Sequence, residues 1–138
     1  MSDEDSAQLW KLNQRLLTRV MNAAEPQLAV LGIETKEFYV LDEVDTCRYP
    51  VAIAEKLMLP KASITTYLRN LVAAGLVQRE IDEGDLRRHR LATTPQGREV
   101  LERALAALAS EFAAMMSRLE EREREEFRRL LLKLLESD

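Results

Sequence analysis

The sequence has few of the residues from which most catalytic and metal sites are built. Its 138 residues include one histidine, His89, and one cysteine, Cys47. A single cysteine closes no internal disulfide, so nothing points to an oxidising compartment. One histidine, one cysteine and no glycine-rich phosphate loop leave little from which to assemble a metal site or a nucleophile–base pair. Four glycines and four prolines leave room for few turns and favour long helices. No apolar run approaches the roughly 18 residues of a membrane-spanning helix. The N-terminal MSDEDSAQ is acidic and lacks the apolar stretch of a signal peptide. The expectation is a soluble cytoplasmic protein, with no cofactor and no metal.

Apolar residues at 46% and charged residues at 32% suit one domain that buries its own core, so residues 1–138 are taken as a single unit. The formal net charge is −4, which by itself argues against a nucleic-acid partner. Its distribution argues the other way. Residues 61–98 hold seven Lys or Arg against four Asp or Glu, a surplus of three positive charges, so the rest of the chain carries −7. The basic excess culminates in REIDEGDLRRHRLATTPQGR, residues 79–98.

Over residues 7–31, Leu9, Leu12, Leu16, Val20, Ala24, Leu28 and Leu31 recur every three or four positions. That spacing predicts an amphipathic helix with an inward stripe, which Pro26 should kink or break. TKEFYVLDEVDT, residues 35–46, predicts a second helix with Thr35 as N-cap and Phe38, Leu41 and Val44 inward. Pro50 opens a short helix and Pro60 the next, with Gly75 as its C-terminal stop. A tight turn over Met58–Lys61 joins them as a helix-turn-helix. In the later helix Ile64, Leu68, Leu71 and Val72 face inward. Lys61, Ala62, Ser63, Thr65, Thr66 and Arg69 make the other face.

LVQREID then alternates with period two and RHRLAT returns, predicting a β-hairpin with DEGDLRR at its tip. Thr94 caps a helix beginning at Pro95, whose expected stripe is Leu101, Leu105, Leu108, Phe112, Met115 and Leu119. EEREREEFRR leads into Phe127, Leu130, Leu131, Leu134 and Leu135. The terminal helices, 7–31 and 95–136, present more apolar surface than one small body covers, and a homodimer is the economical solution. The expected fold class is mostly α with a small β-hairpin wing.

A hairpin that follows a helix-turn-helix at once suggests DNA. Ser63, Thr65, Thr66 and Arg69 would reach phosphates or base edges from the major groove, with Lys61 beside them. Arg87, Arg88 and Arg90 on a two-stranded wing suit the narrow, negative minor groove. Either feature alone is also compatible with a solvated charged face.

The segments L-x-L-P-K-A-S-I-T-T-Y-L-R-N-L-V-A-A-G-L-V-Q-R, D-E-G-D-L-R-R and T-T-P-Q-G-R together resemble the MarR family of transcriptional regulators. The resemblance spans nearly the whole chain: a first dimer helix, a winged helix-turn-helix over residues 35–94, and two C-terminal dimer helices. The family wing reads D-x-x-D-(R/K)-R, then a strand and L-T-x-x-G. Asp82, Asp85 and Arg87 fall on its first Asp, second Asp and second basic position, and Thr94 and Gly97 on its Thr and Gly. The resemblance implies that Asp82 and Asp85 orient the wing and that Arg87 enters the minor groove. Four residues depart from the pattern: Leu86 for a basic residue, Ala62 for a polar one, Thr93 for a leucine, and Tyr49 for a helix-capping Ser or Thr.

The leading expectation is therefore a homodimeric regulator, a repressor, that reads double-stranded DNA as an inverted repeat. The resemblance implies release by a small aromatic effector, and Trp10 is the one candidate for its cleft, though core or interface packing is the first reading of that residue. Cys47 reads as inert packing before oxidant sensing. His89 reads as an exposed wing residue. The alternative is a winged-helix module that binds protein and not DNA. Asp82 and Asp85 as a catalytic carboxylate pair fail beside Arg87, which keeps both ionised.

Overall fold

A computed structural model describes residues 1–136 as six helices and one hairpin. Helix α1 runs Asp3–Val30, beginning earlier than the apolar repeat suggests because Ser2 and Asp5 form a capping box. The Asp5 N–H donates to Ser2 Oγ at 3.1 Å, and the Ser2 N–H to Asp5 Oδ2 at 3.4 Å. Pro26 neither ends nor interrupts α1. The helix stops at Gly32, whose φ of +81° allows a Schellman turn closed by Ile33 N–H to Leu28 O at 3.2 Å.

Helix α2 spans Thr35–Cys47, and its cap is Glu34, not Thr35. The Glu37 carboxylate accepts the Glu34 N–H at 2.9 Å, which moves the boundary one residue upstream. Helix α3, Pro50–Leu57, has proline at its first turn as expected, and α4 covers Lys61–Ala73 with Pro60 just outside as N-cap. The turn between them passes through Met58, a non-glycine residue at φ +55° and 90% exposed. Gly75 ends α4 in a second Schellman turn at φ +77°, with Leu76 N–H to Leu71 O at 2.9 Å.

Strand β1, Val77–Asp82, pairs antiparallel with β2, Asp85–Thr93. The second strand therefore starts three residues before the expected RHRLAT. Register runs regularly from Val77↔Thr93 to Ile81↔His89 and then jumps to Asp82↔Asp85, so Leu86, Arg87 and Arg88 arch out of the ladder as a bulge. Beyond its partner, β2 is tied to the helical body: the Leu91 N–H donates to Arg48 O at 2.7 Å.

Helix α5, Pro95–Met116, returns across the body and packs on α1. Its buried residues are Gly97, Ala104 and Ala107, and α1 contributes Val20, Ala24 and Leu28. Small side chains let the two helices approach closely. Leu105, expected in the inward stripe, is 53% exposed, because the seam is centred one residue away on Ala104 and Ala107. The core itself joins Phe38, Leu41 and Val44 of α2 to Ile53, Ile64, Leu68, Leu71, Leu91 and Leu28.

Helix α6, Glu121–Leu135, has no buried residue. Its leucines, from Leu130 to Leu135, are exposed, as are Leu9, Trp10, Leu12 and Leu17 on the first half of α1. The inward stripe expected along all of α1 is thus inward only from Val20 onward within this chain. Phe112 and Met116 of α5 face Phe127 and Leu131 of α6 across an open groove of about 760 Å³. Among the described residues no helix is long and apolar enough to cross a membrane.

Candidate nucleic-acid interface

The outer face of α4 follows directly from helical spacing. Lys61, Thr65 and Arg69, four residues apart, are all exposed, with exposed Ala62 and Thr66 alongside and Ser63 half-buried at the edge. Ile64, Leu68 and Leu71 on the opposite side are buried, with half-buried Val72 and Tyr67 against the core, so this outer face cannot turn inward. The hydroxyl of Thr65 donates to Lys61 O at 3.0 Å and that of Thr66 to Ala62 O at 3.2 Å. Both hydroxyls keep lone pairs free to accept. Among the described residues neither Lys61 nor Arg69 forms an ion pair.

The wing is organised by its two aspartates. Asp82 Oδ1 accepts the Gly84 N–H at 2.8 Å, and Asp85 Oδ1 accepts the Arg87 N–H at 3.0 Å. Each is a carboxylate bonding a backbone donor two residues on, the pattern that makes aspartate a turn residue. The acids beside the arginines hold the backbone that carries them.

The three wing arginines are not equivalent. The side chain of Arg87 is 96% exposed, and among the described residues its only close carboxylate is Asp85, at 3.9 Å. Arg88 folds back with its guanidinium carbon 3.8 Å from the centre of the Tyr49 ring. Arg90 donates through Nε to Glu80 Oε2 at 3.3 Å across the hairpin. Sequence reasoning grouped all three as contacts, whereas the fold leaves Arg87 almost fully exposed and holds Arg88 against Tyr49 and Arg90 against Glu80. His89 is exposed and lies opposite Ile81.

Tyr49 is the residue that sequence reasoning missed. It occupies the N-cap of α3 but makes no capping bond. Its hydroxyl instead donates a hydrogen bond to Asp82 Oδ2. That bond, then the Gly84 N–H and the nearby Arg88 charge, hold the Asp82 carboxyl below the usual carboxylate range. The same bond pushes the Tyr49 phenol above its ordinary value. The available signal was the departure itself, an aromatic residue where a small hydroxyl is usual, in a chain with an arginine-rich hairpin.

The base of the wing is fixed by a second departure. Thr93 is buried, and both its N–H and its hydroxyl donate to Asp45, at 2.9 and 2.6 Å. Leucine at this position could not make the hydroxyl bond. Partial burial pushes Asp45 up, but the two Thr93 bonds together with Arg48 and Arg98 outweigh it and hold the carboxyl below its ordinary value. Thr94 then caps α5, accepting the Gly97 N–H at 2.9 Å while donating to Gly75 O at 2.6 Å.

The remaining candidates lie apart from this surface. Trp10 is 62% exposed on α1. Cys47 is half-buried, 3.8 Å from Glu43, and burial followed by the Glu43 charge pushes its thiol up, away from the reactive thiolate. Among the described residues no cluster of His, Cys, Asp and Glu could hold a metal ion.

The MarR family model matches residues 31–88, from the end of α1 through the wing bulge. Solved structures match over most of the chain. The Mycobacterium tuberculosis MarR family protein Rv2887 in complex with p-aminosalicylic acid is 26% identical with a TM-score of 0.75, covering 91% of this chain and 97% of its own. The same protein in complex with DNA is 25% identical with a TM-score of 0.75, covering 91% and 96%. Wild-type MarR of E. coli is 22% identical with a TM-score of 0.77, covering 92% and 96%. No curated protein matches at a significant level. The family match across the helix-turn-helix and wing, with the same architecture recurring over nine-tenths of the chain, gives this protein a winged-helix fold similar to that of the MarR family of transcription regulators.

Proposed function

We propose that the protein is a homodimeric, sequence-specific DNA-binding repressor. In this reading the outer face of α4 enters the major groove, where Arg69 and Lys61 meet phosphate or a guanine edge and Ser63, Thr65 and Thr66 contribute hydroxyls. Arg87 enters the adjacent minor groove. The observation that carries the reading is the 96% exposure of Arg87 on a wing whose own acids are occupied with its backbone. The exposed leucines of α6 and the N-terminal half of α1 support self-association through the terminal helices. A twofold dimer would read an inverted repeat with half-sites about one helical turn apart.

The solved relative in complex with DNA supports the partner, and those in complex with p-aminosalicylic and salicylic acid support a small aromatic acid as effector. Such a ligand would release DNA only through different affinities for two spacings of the recognition helices.

The test is titration into the DNA flanking the protein's own gene at two salt concentrations. Tight, salt-sensitive binding that Arg87→Ala weakens, with a shallower salt slope, is the expected result. One observation favours a second reading: Leu86, on the wing bulge, is 77% exposed and Ile81 59%. That apolar pair would suit a protein partner, and a flat response to duplex DNA at low salt would favour it.

A further inference from the structure

We propose that Tyr49 is the positioning residue of the wing: it holds Arg88 back against the start of α3 and leaves Arg87 as the bulge arginine offered to DNA. The inference rests on the DNA-binding reading and adds to it which residue decides the wing's contacts.

Two contacts converge on one side chain. The Tyr49 hydroxyl donates to Asp82, the carboxylate that also holds the Gly84 N–H at the turn. The face of the same ring carries the Arg88 guanidinium at 3.8 Å. The ring therefore grips both arms of the hairpin where the ladder has lapsed, between Ile81↔His89 and Asp82↔Asp85. In a bulge without cross-strand bonds, these side-chain contacts replace the ladder in fixing the path of residues 86–88.

The choice of tyrosine costs α3 its cap. The hydroxyl of Ser or Thr at this position would accept a backbone N–H from the first turn of α3, and the Tyr49 side chain accepts none. A residue kept only to stabilise α3 would not be aromatic. Simple packing does not explain it either, since the ring is only half-buried and its hydroxyl is aimed at the wing and not into the core. With Leu86 uncharged and Arg90 paired to Glu80, Arg88 is the one other arginine the bulge could offer to DNA. Tyr49 thus decides whether the bulge directs one guanidinium or two toward DNA.

The experiment compares salt slopes on a random-sequence duplex pool for the parent protein, Tyr49→Thr, Tyr49→Phe, Arg88→Ala and the double variant Tyr49→Thr/Arg88→Ala. Tyr49→Thr restores a cap to α3, so loss of helix stability does not confound it. Freed, Arg88 gains a phosphate, and the slope steepens by about 0.9 per protomer, equivalent to roughly 3.5-fold more salt sensitivity per protomer between 50 and 200 mM. Tyr49→Phe keeps the ring and the parent slope. The double variant returns to the parent slope, a reversal that a general structural defect would not produce.

An unchanged slope in Tyr49→Thr overturns the inference. So does a shallower slope in Arg88→Ala made in the parent background, because Arg88 would then already be touching DNA; this holds even if the Tyr49 variants fail to fold. Absence of salt-dependent binding by the parent protein overturns the DNA-binding reading itself, and the inference with it, and is distinguishable from both.

Discussion

Gly97→Ala separates local helix preference from tertiary geometry, because the two predict opposite signs. Gly97 sits in the first turn of α5, where alanine should favour the helix by roughly 0.5–1 kcal/mol. A Cβ at that position would lie 2.0 Å from the Leu76 carbonyl oxygen and 2.9 Å from its carbon. Contacts below 3.0 Å are essentially never made by a real Cβ, so the start of α5 and the end of α4 must separate by about 1 Å. That carbonyl is already occupied by the Thr94 N–H at 3.0 Å, and the Thr94 hydroxyl reaches Gly75 O at 2.6 Å.

Separation breaks or stretches both bonds, at about 1 kcal/mol each, and the overpacking itself costs about 1–3 kcal/mol. Less the helix gain, the expected net destabilisation is roughly 2–4 kcal/mol, a large share of the total stability of a small domain. Urea unfolding monitored by circular dichroism reads it directly. Gly32→Ala is the control: nothing lies within 4 Å of its Cβ, so only the strain of φ +81° remains, about 1 kcal/mol. A Gly97→Ala protein as stable as the parent would refute the close approach of α5 to Leu76 and with it the physical reason for T-x-x-G in this chain.

Three further outcomes follow from the same geometry. Asp45→Ala strands the buried Thr93 N–H and hydroxyl and should cost roughly 2–4 kcal/mol in urea unfolding; a loss below about 0.5 kcal/mol would show these bonds to be dispensable. Because Asp45 and Asp82 titrate below their ordinary value in the folded state, their stabilisation is complete above the unfolded aspartate value of about 3.9 and is lost as pH falls through the folded values. Stability should therefore drop below about pH 4, less steeply in Asp45→Asn, and identical slopes would refute the assignment. Leu134→Glu, at a residue 80% exposed in the single chain, should leave that chain folded while weakening the proposed self-association by about 100-fold in sedimentation; an unchanged sedimentation profile would refute an interface through α6.

Much of this architecture is legible wherever a rule is local. Gly75 stops α4 because a Schellman turn needs positive φ, and Thr94 with Pro95 starts α5 because cap chemistry is confined to four residues. What depends on distant partners is not legible. A helical repeat marks Leu9 and Leu12 as one face but cannot say whether that face meets this chain or another. The stripe through Leu105 was misplaced by one residue because alanines, which set the α1–α5 seam, carry little hydrophobic signal. The wing arginines look alike in sequence because their partners, Tyr49 and Glu80, come from an earlier helix cap and the opposite strand. Tyr49 and Thr93 could be read only as departures; the structure turns both into donors to aspartates, 33 and 48 residues away.

The acidity of the chain is compatible with a DNA partner for a reason of placement. Of the four acids in the hairpin, Glu80 is paired with Arg90, Asp82 holds Gly84 and Tyr49, and Asp85 holds the Arg87 backbone. Only Glu83 at the turn makes no such bond among the described residues. These carboxylates are committed to shaping the tip that carries Arg87, and on the proposed reading they cost the interface little repulsion. The remaining −7 lies outside residues 61–98. At physiological ionic strength, charges more than about 8 Å from a phosphate are largely screened, so acids on α1 and α6 weaken binding only for orientations that bring those helices to the duplex. On the proposed reading, an acidic body with its positive surplus confined to residues 61–98 thus favours the docking pose led by α4 and Arg87. It does so at the expense of non-specific affinity, which scales with the number of cations that reach phosphates.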